Sequence, residues 1–308
     1  MKLNAPKFTT FILIIVWSFV SCRKDNNPIS DNSEKYRLVK KLNYSSSTSA
    51  NPVEGVERVY NEAGNMVKEL FYLYRLTTVC WQYREYEYSG NQKKKMKVFE
   101  ENEDEVFMLD WYVDYFYEGD RLTKEEYRLP DGSLLNTKNY QYSNENLIRK
   151  YLQYSDGEIS EEMKYTYDSQ NRLTLEENSE SDVDKYRYTK HIYDDSGRKI
   201  KLEYYNVNLN LLKYVEMGYN GRSKLSVRDL HYDKNGTQIL QYEHNYDKLG
   251  NLTETVLSGF CSLFKRKYDG GLLIEEILYW DPFEEDESEE KIGCAEKGMS
   301  RYEYEKFE

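Results

Sequence analysis

The chain has 308 residues and a formal charge of −12, with acidic and basic residues interleaved along its length. That balance disfavours nucleic acid and anionic membrane surfaces as partners. Tyrosine is the outlier at 32 residues, against five prolines, a composition that favours strands and argues against a disordered or helical chain.

Lys2 and Lys7 precede an apolar core from Phe11 to Val20, too short to span a bilayer and of signal-peptide length. The core ends at Ser21-Cys22, which resembles a bacterial lipobox, although Phe19 and Val20 depart from its usual residues. The resemblance implies removal of residues 1–21 and a lipid on Cys22. The following Arg23-Lys24-Asp25 is similar to the start of Bacteroidetes-type lipoproteins, in which lysine plus acidic residues direct surface export. Here Asp25 is the only acid before a polar stretch, and residues 22–34 read as a flexible tether. Residues 35–308 then form one repeat domain.

The repeat is anchored on a tyrosine followed by a polar turn. Anchors fall at Tyr60, Tyr88, Tyr117, Tyr142, Tyr167, Tyr193, Tyr219, Tyr246 and Tyr268, 22 to 29 residues apart, and a half unit follows at Tyr302-Glu303-Tyr304. A second turn signal falls midway in several units, as at Asp156-Gly157 and Asn235-Gly236. Two turns in about 26 residues make two strands per unit, so the fold class is all-β.

Turn chemistry predicts register. A three-residue loop over residues 169–171 needs a left-handed third residue, which Asn171 tolerates, and lets Asp168 pair with Arg172. Tyr167 then faces Leu173. The same logic sets Tyr60 opposite Met66, Tyr219 opposite Leu225 and Tyr246 opposite Leu252. Two-residue loops set Tyr117 opposite Leu122, Tyr142 opposite Leu147 and Tyr268 opposite Leu273. Tyr88 meets Lys93, and Tyr193 meets Ile200 across a four-residue loop. Strict alternation places Tyr165, Tyr167, Leu173 and Leu175 on one face, with Thr166, Thr174 and Glu176 on the other. In the next unit Ile200, Leu202 and Tyr204 oppose Lys199, Lys201 and Glu203. About nine antiparallel hairpins, 18 to 20 strands, make a long sheet with one aromatic face. It is expected to twist and curl on itself or to split into two layers.

Tyr165-Thr166-Tyr167-Asp168 through Leu173, and Tyr193-Asp194 through Gly197-Arg198, resemble the Tyr-x-Tyr-Asp-x-x-Gly-Arg-Leu pattern of the YD repeat of the Rhs family. The resemblance covers Tyr60 to Tyr304. It implies a β-hairpin array and, with so few units, a partial spiral shell rather than a complete enclosure. MORN-like hairpin repeats are the alternative relative.

Candidate sites are those that break the repeat. Trp81, Trp111 and Trp280 lie off the anchors and are the candidate binding aromatics, weighed against simple packing. Residues 281–290 hold seven carboxylates and read as a solvated insertion rather than a calcium loop. Among the remaining cysteines, Cys261 with Cys294 is the preferred disulfide, leaving Cys80 as a thiol. No paired cysteine–histidine spacing supports a metal. His191 and His244 occupy the first aromatic slot of their units and read as packing substitutes; His231 completes the set. No nucleophile elbow or metalloprotease pattern is present, so neither catalysis nor a cofactor is expected. The expectation is a lipid-anchored outer-membrane or cell-surface repeat protein with a binding or structural role. Its partners are the membrane, through Cys22, and a surface glycan or protein. A glycan-active enzyme and an accessory of Rhs-like contact-dependent antagonism are the alternatives.

Overall fold

The computed structural model describes residues 35–74, 78–179, 186–258, 262–279 and 296–307. The leader and tether, Cys22, Cys261, Cys294, Trp280 and the acidic stretch 281–290 lie outside them. Twenty strands follow one another. The first seven are β1 (Lys35–Tyr44), β2 (Glu54–Tyr60), β3 (Met66–Tyr74), β4 (Thr78–Ser89), β5 (Gln92–Glu101), β6 (Phe107–Glu118) and β7 (Arg121–Arg128). The middle seven are β8 (Leu134–Ser143), β9 (Asn146–Tyr154), β10 (Ile159–Tyr167), β11 (Leu173–Asn178), β12 (Tyr188–Tyr193), β13 (Lys199–Tyr205) and β14 (Leu211–Tyr219). The last six are β15 (Ser226–Asp233), β16 (Gln238–Tyr246), β17 (Leu252–Leu257), β18 (Ser262–Asp269), β19 (Leu272–Tyr279) and β20 (Glu296–Phe307).

Each strand pairs antiparallel with the next, and β1 also pairs with β20 from Lys35↔Phe307 to Tyr44↔Met299. The sheet is therefore a closed 20-stranded barrel. This corrects the expected open, spiral or two-layered sheet. Closure removes both free edges of the ribbon, which local alternation does not report. It also supplies a tenth anchor pairing, without a turn, because Tyr304 faces Leu38 across the termini.

The expected hairpins form. Tyr167 faces Leu173, Tyr60 faces Met66, Tyr246 faces Leu252, and the three two-residue loops place Tyr117, Tyr142 and Tyr268 as read. Asn171 is left-handed at φ 65°, and Asp168 Oδ2 accepts from Arg172 Nε at 2.7 Å. Tyr88 does meet Lys93. Two registers differ. Tyr219 faces Ser226 rather than Leu225, because its loop is one residue longer. Tyr193 faces Lys199 rather than Ile200, because Asp194 and Arg198 close the same clamp as Asp168 and Arg172.

A register shift sits beside the anchor tyrosine in every one of these hairpins, as between Thr166 and Tyr167 or Asn245 and Tyr246. The extra residue is a bulge that flips the alternation beyond it. Thr174 and Thr253 occupy it, each donating its hydroxyl to a facing carbonyl, Thr166 O at 3.1 Å and Asn245 O at 3.0 Å. The bulge corrects the predicted faces. Glu176 lies opposite Tyr165, on the tyrosine face, and Leu175 lies opposite Thr166 on the other.

Following facing pairs round the ring separates two walls. Tyr86, Val98, Val113, Val215 and Leu257 are the buried apolar side chains of one wall, joined there by the buried Glu69, Gln82, His191, Thr255 and Ser300. The other wall contributes only Tyr44 and Met299 to the buried set among the described residues. Crowding of this kind marks the concave side, so the tyrosine wall lines the lumen.

Candidate functional site

The tyrosine anchors organise one rim. Tyr167 Oη donates to Leu147 O at 3.0 Å, and Leu147 is the residue facing the previous anchor, Tyr142. Tyr193 repeats this on Leu173 O at 2.9 Å, Tyr246 on Ser226 O at 2.8 Å and Tyr268 on Leu252 O at 3.1 Å. Tyr117 is hydrogen-bonded to the backbone of Lys93. The chain of bonds closes on itself: Tyr304 donates to Leu273 O at 2.9 Å and Tyr60 to Leu38 O at 2.7 Å. Each phenol therefore staples its hairpin to the one before. The turn clamps roof this girdle, with the Arg172 guanidinium 4.7 Å over the Tyr193 ring and Arg198 4.9 Å over Tyr219.

One step further into the lumen lies a belt that sequence reasoning missed. The residue three positions after each anchor-facing residue points inward, and in every second hairpin it is an acid: Glu69, Glu125, Glu176, Asp229 and Glu276. Each meets a polar aromatic from the first slot of the following hairpin. Tyr86 Oη donates to Glu69 Oε2 at 3.2 Å, Tyr140 to Glu125 Oε1 at 2.8 Å and Tyr302 to Glu276 Oε2 at 3.3 Å. His191 Nε2 lies 3.2 Å from Glu176 Oε1, and His244 Nε2 3.2 Å from Asp229 Oδ2. The signal was the recurrence of an acid at every second unit. It was hidden by 55 acidic residues and by the unforeseen bulge.

Burial sets the titration of this wall. It raises Tyr86 to about 12, with the Glu69 charge adding to it, and Tyr165 to about 12, with Glu176 adding. Tyr115, Tyr127, Tyr140 and Tyr302 are pushed up by the same cause, the last three also by donating to Glu125 or Glu276. Burial lowers Lys93, against the pull of Glu125 and Glu69, and lowers Lys199 against Glu176. His231 is lowered by burial and by Lys213. Asp229 stands between Ser226, which donates to it at 2.9 Å, and His244, whose Nδ1 lies 3.0 Å from Thr255 Oγ1. That order steadies the imidazole. It does not place a base on the serine, as nucleophilic catalysis requires.

The outer wall carries ladders of ion pairs: Lys95–Asp114 at 3.0 Å, Lys68–Glu85 at 3.3 Å, Arg128–Glu126 at 2.7 Å and Lys201–Glu203 at 3.1 Å. Among the described residues, these charged ladders interrupt the apolar surface of the outer wall, where a membrane-spanning barrel carries an apolar band. Among the described residues, no helix is long and apolar enough to cross a membrane.

Of the predicted site residues, Trp81 is the unpaired residue of a bulge in β4, 40% exposed, with its ring 6.2 Å from Phe71. Trp111 is on the lumen wall, 6.0 Å from Tyr127. The two are not brought together. Cys80 is a free thiol whose pKa burial raises. No group of acids, histidines and cysteines among the described residues is arranged to hold a metal.

The fold and its site define a closed β-barrel of repeated hairpins with a tyrosine-stapled rim and a polar lumen. No protein-family profile matches the chain, and no curated protein matches it. Among solved structures, it is similar to the TcdB2-TccC3-Cdc42 crystal structure at 13% identity and a TM-score of 0.40, over 82% of this chain and 17% of that one. It is similar to TcdB2-TccC3 at 12% identity and a TM-score of 0.39, over 91% of this chain and 19% of that one. A porin-like protein from Bacteroides uniformis aligns at 8% identity and a TM-score of 0.35, over 87% of this chain and 98% of its own. The chain thus spans less than a fifth of the TcdB2-TccC3 chains.

Proposed function

We propose that this protein is an exported, lipid-anchored, non-enzymatic binding barrel that stands in water beside its membrane. The observation that carries this is the set of charged ladders on the described outer wall of a closed ring, which interrupt the apolar surface that would hold a barrel in a bilayer. Attachment then falls to the lipid on Cys22. The chain enters the barrel at Lys35, on the tyrosine-stapled rim, so the anchor ties that rim towards the membrane. The five acids of the lumen belt are already engaged by tyrosine and histidine, and among the described residues no hydroxyl or thiol has a base placed on it.

Cys22→Ala in the full chain tests it. The expected result is release from the membrane fraction with an unchanged melting temperature. Retention in the membrane fraction of the variant with residues 1–21 removed would show that the barrel itself holds the bilayer.

A second reading, glycan binding, is favoured by Trp81 alone, which is 40% exposed with its ring beside Phe71. A glycan array repeated with Trp81→Ala decides it: hits that survive the substitution remove the tryptophan from recognition.

A further inference from the structure

The rim away from the tyrosine girdle is built differently. It carries the turns between β1 and β2, β3 and β4, and so on round the ring. Of the 19 large apolar residues exposed on the described chain, five lie near the girdle: Val59, Phe116, Ile148, Leu225 and Leu249. The other 14 lie at the far rim, with at least one at every turn from β1–β2 to β15–β16. The most open are Val106 at 55%, Met108 at 58%, Leu209 at 66% and Ile239 at 52%. A collar in which an apolar residue recurs turn after turn on one rim marks an interaction surface rather than scattered surface leucines.

Exposed charge in the described turns of the same rim is mostly negative. Exposed acids stand at Glu54, Glu103, Asp104, Glu105, Asp131, Asp156 and Glu158, whereas Lys234 is the one exposed base in these turns among the described residues. We propose that the far rim is a docking surface for a cationic, amphipathic polypeptide segment, one that sets apolar side chains on the collar and lysine or arginine against the acids. A second copy of this chain would bring the same negative charge, and an anionic bilayer would too, so both are disfavoured. The inference deepens the binding-protein reading and is independent of the lipid anchor.

The test is fluorescence anisotropy of a labelled amphipathic lysine–leucine peptide against the full-length Cys22→Ala chain, which cannot be acylated. The expected result is saturable binding, weakened at least ~10-fold by Glu103→Lys/Asp104→Lys/Glu105→Lys and similarly by Met108→Ser/Leu209→Gly. The matched reversal on the girdle rim, Glu62→Lys/Glu145→Lys/Asp195→Lys, is expected to change affinity by less than about twofold. Circular dichroism on each variant confirms that the barrel is intact. Equal losses from both rims, or insensitivity to the apolar pair, would reduce the binding to diffuse charge and overturn the proposal. So would self-association that the far-rim substitutions abolish, or flotation with phosphatidylcholine vesicles that depends on the collar. These results would assign the collar to a second copy or to lipid.

Discussion

The two rims of the barrel are made from the same kind of turn and have opposite characters. On the girdle rim every anchor phenol is spent on the neighbouring hairpin, and two of the turn acids are clamped by arginines, Asp168 by Arg172 and Asp194 by Arg198. On the far rim the described turns leave apolar side chains in water, and their exposed acids outnumber their exposed bases. The left-handed position of the three-residue loops is filled by Gly64, Asn171, Gly197 and Gly250 on the girdle rim; on the far rim it is Gly132, Gly157 and Gly236 in three turns but Glu105 and Leu209 in two others. Stability is concentrated at one end of the barrel and recognition chemistry at the other, and each part of that contrast can be measured.

The largest effect is expected from alkali, which acts on the lumen phenols beneath the girdle. Tyr86 and Tyr165 titrate near 12 in the folded chain, and Tyr115, Tyr127, Tyr140 and Tyr302 are also raised by burial. Unfolded phenols titrate at about 10. The folded state therefore holds protons that the unfolded state gives up. Its stability is full below pH about 10 and drains as pH rises above it. Phenolate absorbance and far-ultraviolet ellipticity should change together. A lumen that ionises completely before the strands melt would mean that the phenols are not what holds the wall.

Next in size is Glu125→Ala. It strands the hydroxyls of Tyr127 and Tyr140, which donate to the two carboxylate oxygens at 2.7 and 2.8 Å. Leaving partly buried donors unpaired costs about 1–3 kcal/mol. The far-rim counterpart, Asp156→Ala, removes a bond to the Glu158 backbone amide in an exposed turn and should stay within about 0.5 kcal/mol. Urea denaturation compares them; equal costs would erase the distinction between the rims.

Much of the girdle was legible in sequence, and the reasons are local. Loop length and one left-handed residue fix the register of a hairpin, so Tyr167 and Leu173 could be paired from nine residues. Ring closure was not legible, because β1 and β20 are separated by the whole chain and nothing in either says that it meets the other. The lumen acids were hidden by the bulge: counting by twos past Thr174 sends Glu176 to the wrong wall. The collar was missed for another reason. Apolar residues beside turns such as Leu209 or Ile239 look like ordinary strand ends until the topology gathers them on one rim. Trp81 was singled out because it broke the repeat, and the bulge at which it stands is that break.

Tyr167→Phe measures a single staple of the girdle. It removes one hydrogen bond to a carbonyl and keeps the ring, so about 0.5–1.5 kcal/mol is expected. The same change at Tyr154, 44% exposed on the far rim, should be neutral within about 0.5 kcal/mol. If the two variants melt alike, the staples are geometry without energy.

The smallest effect has the opposite sign. Leu209 sits at φ 59° with its side chain in water, where a Cβ costs roughly 1–2 kcal/mol relative to glycine. Glycine returns part of that gain through the greater freedom of its unfolded chain, roughly 0.5–1 kcal/mol. Leu209→Gly should therefore stabilise the barrel by about 0.5 kcal/mol in urea denaturation. A leucine kept where it is strained, exposed and better replaced by glycine is retained for what it contacts, not for the fold. A destabilised Leu209→Gly would show instead that this leucine packs within the folded barrel, and would remove the most exposed member of the collar from the docking surface.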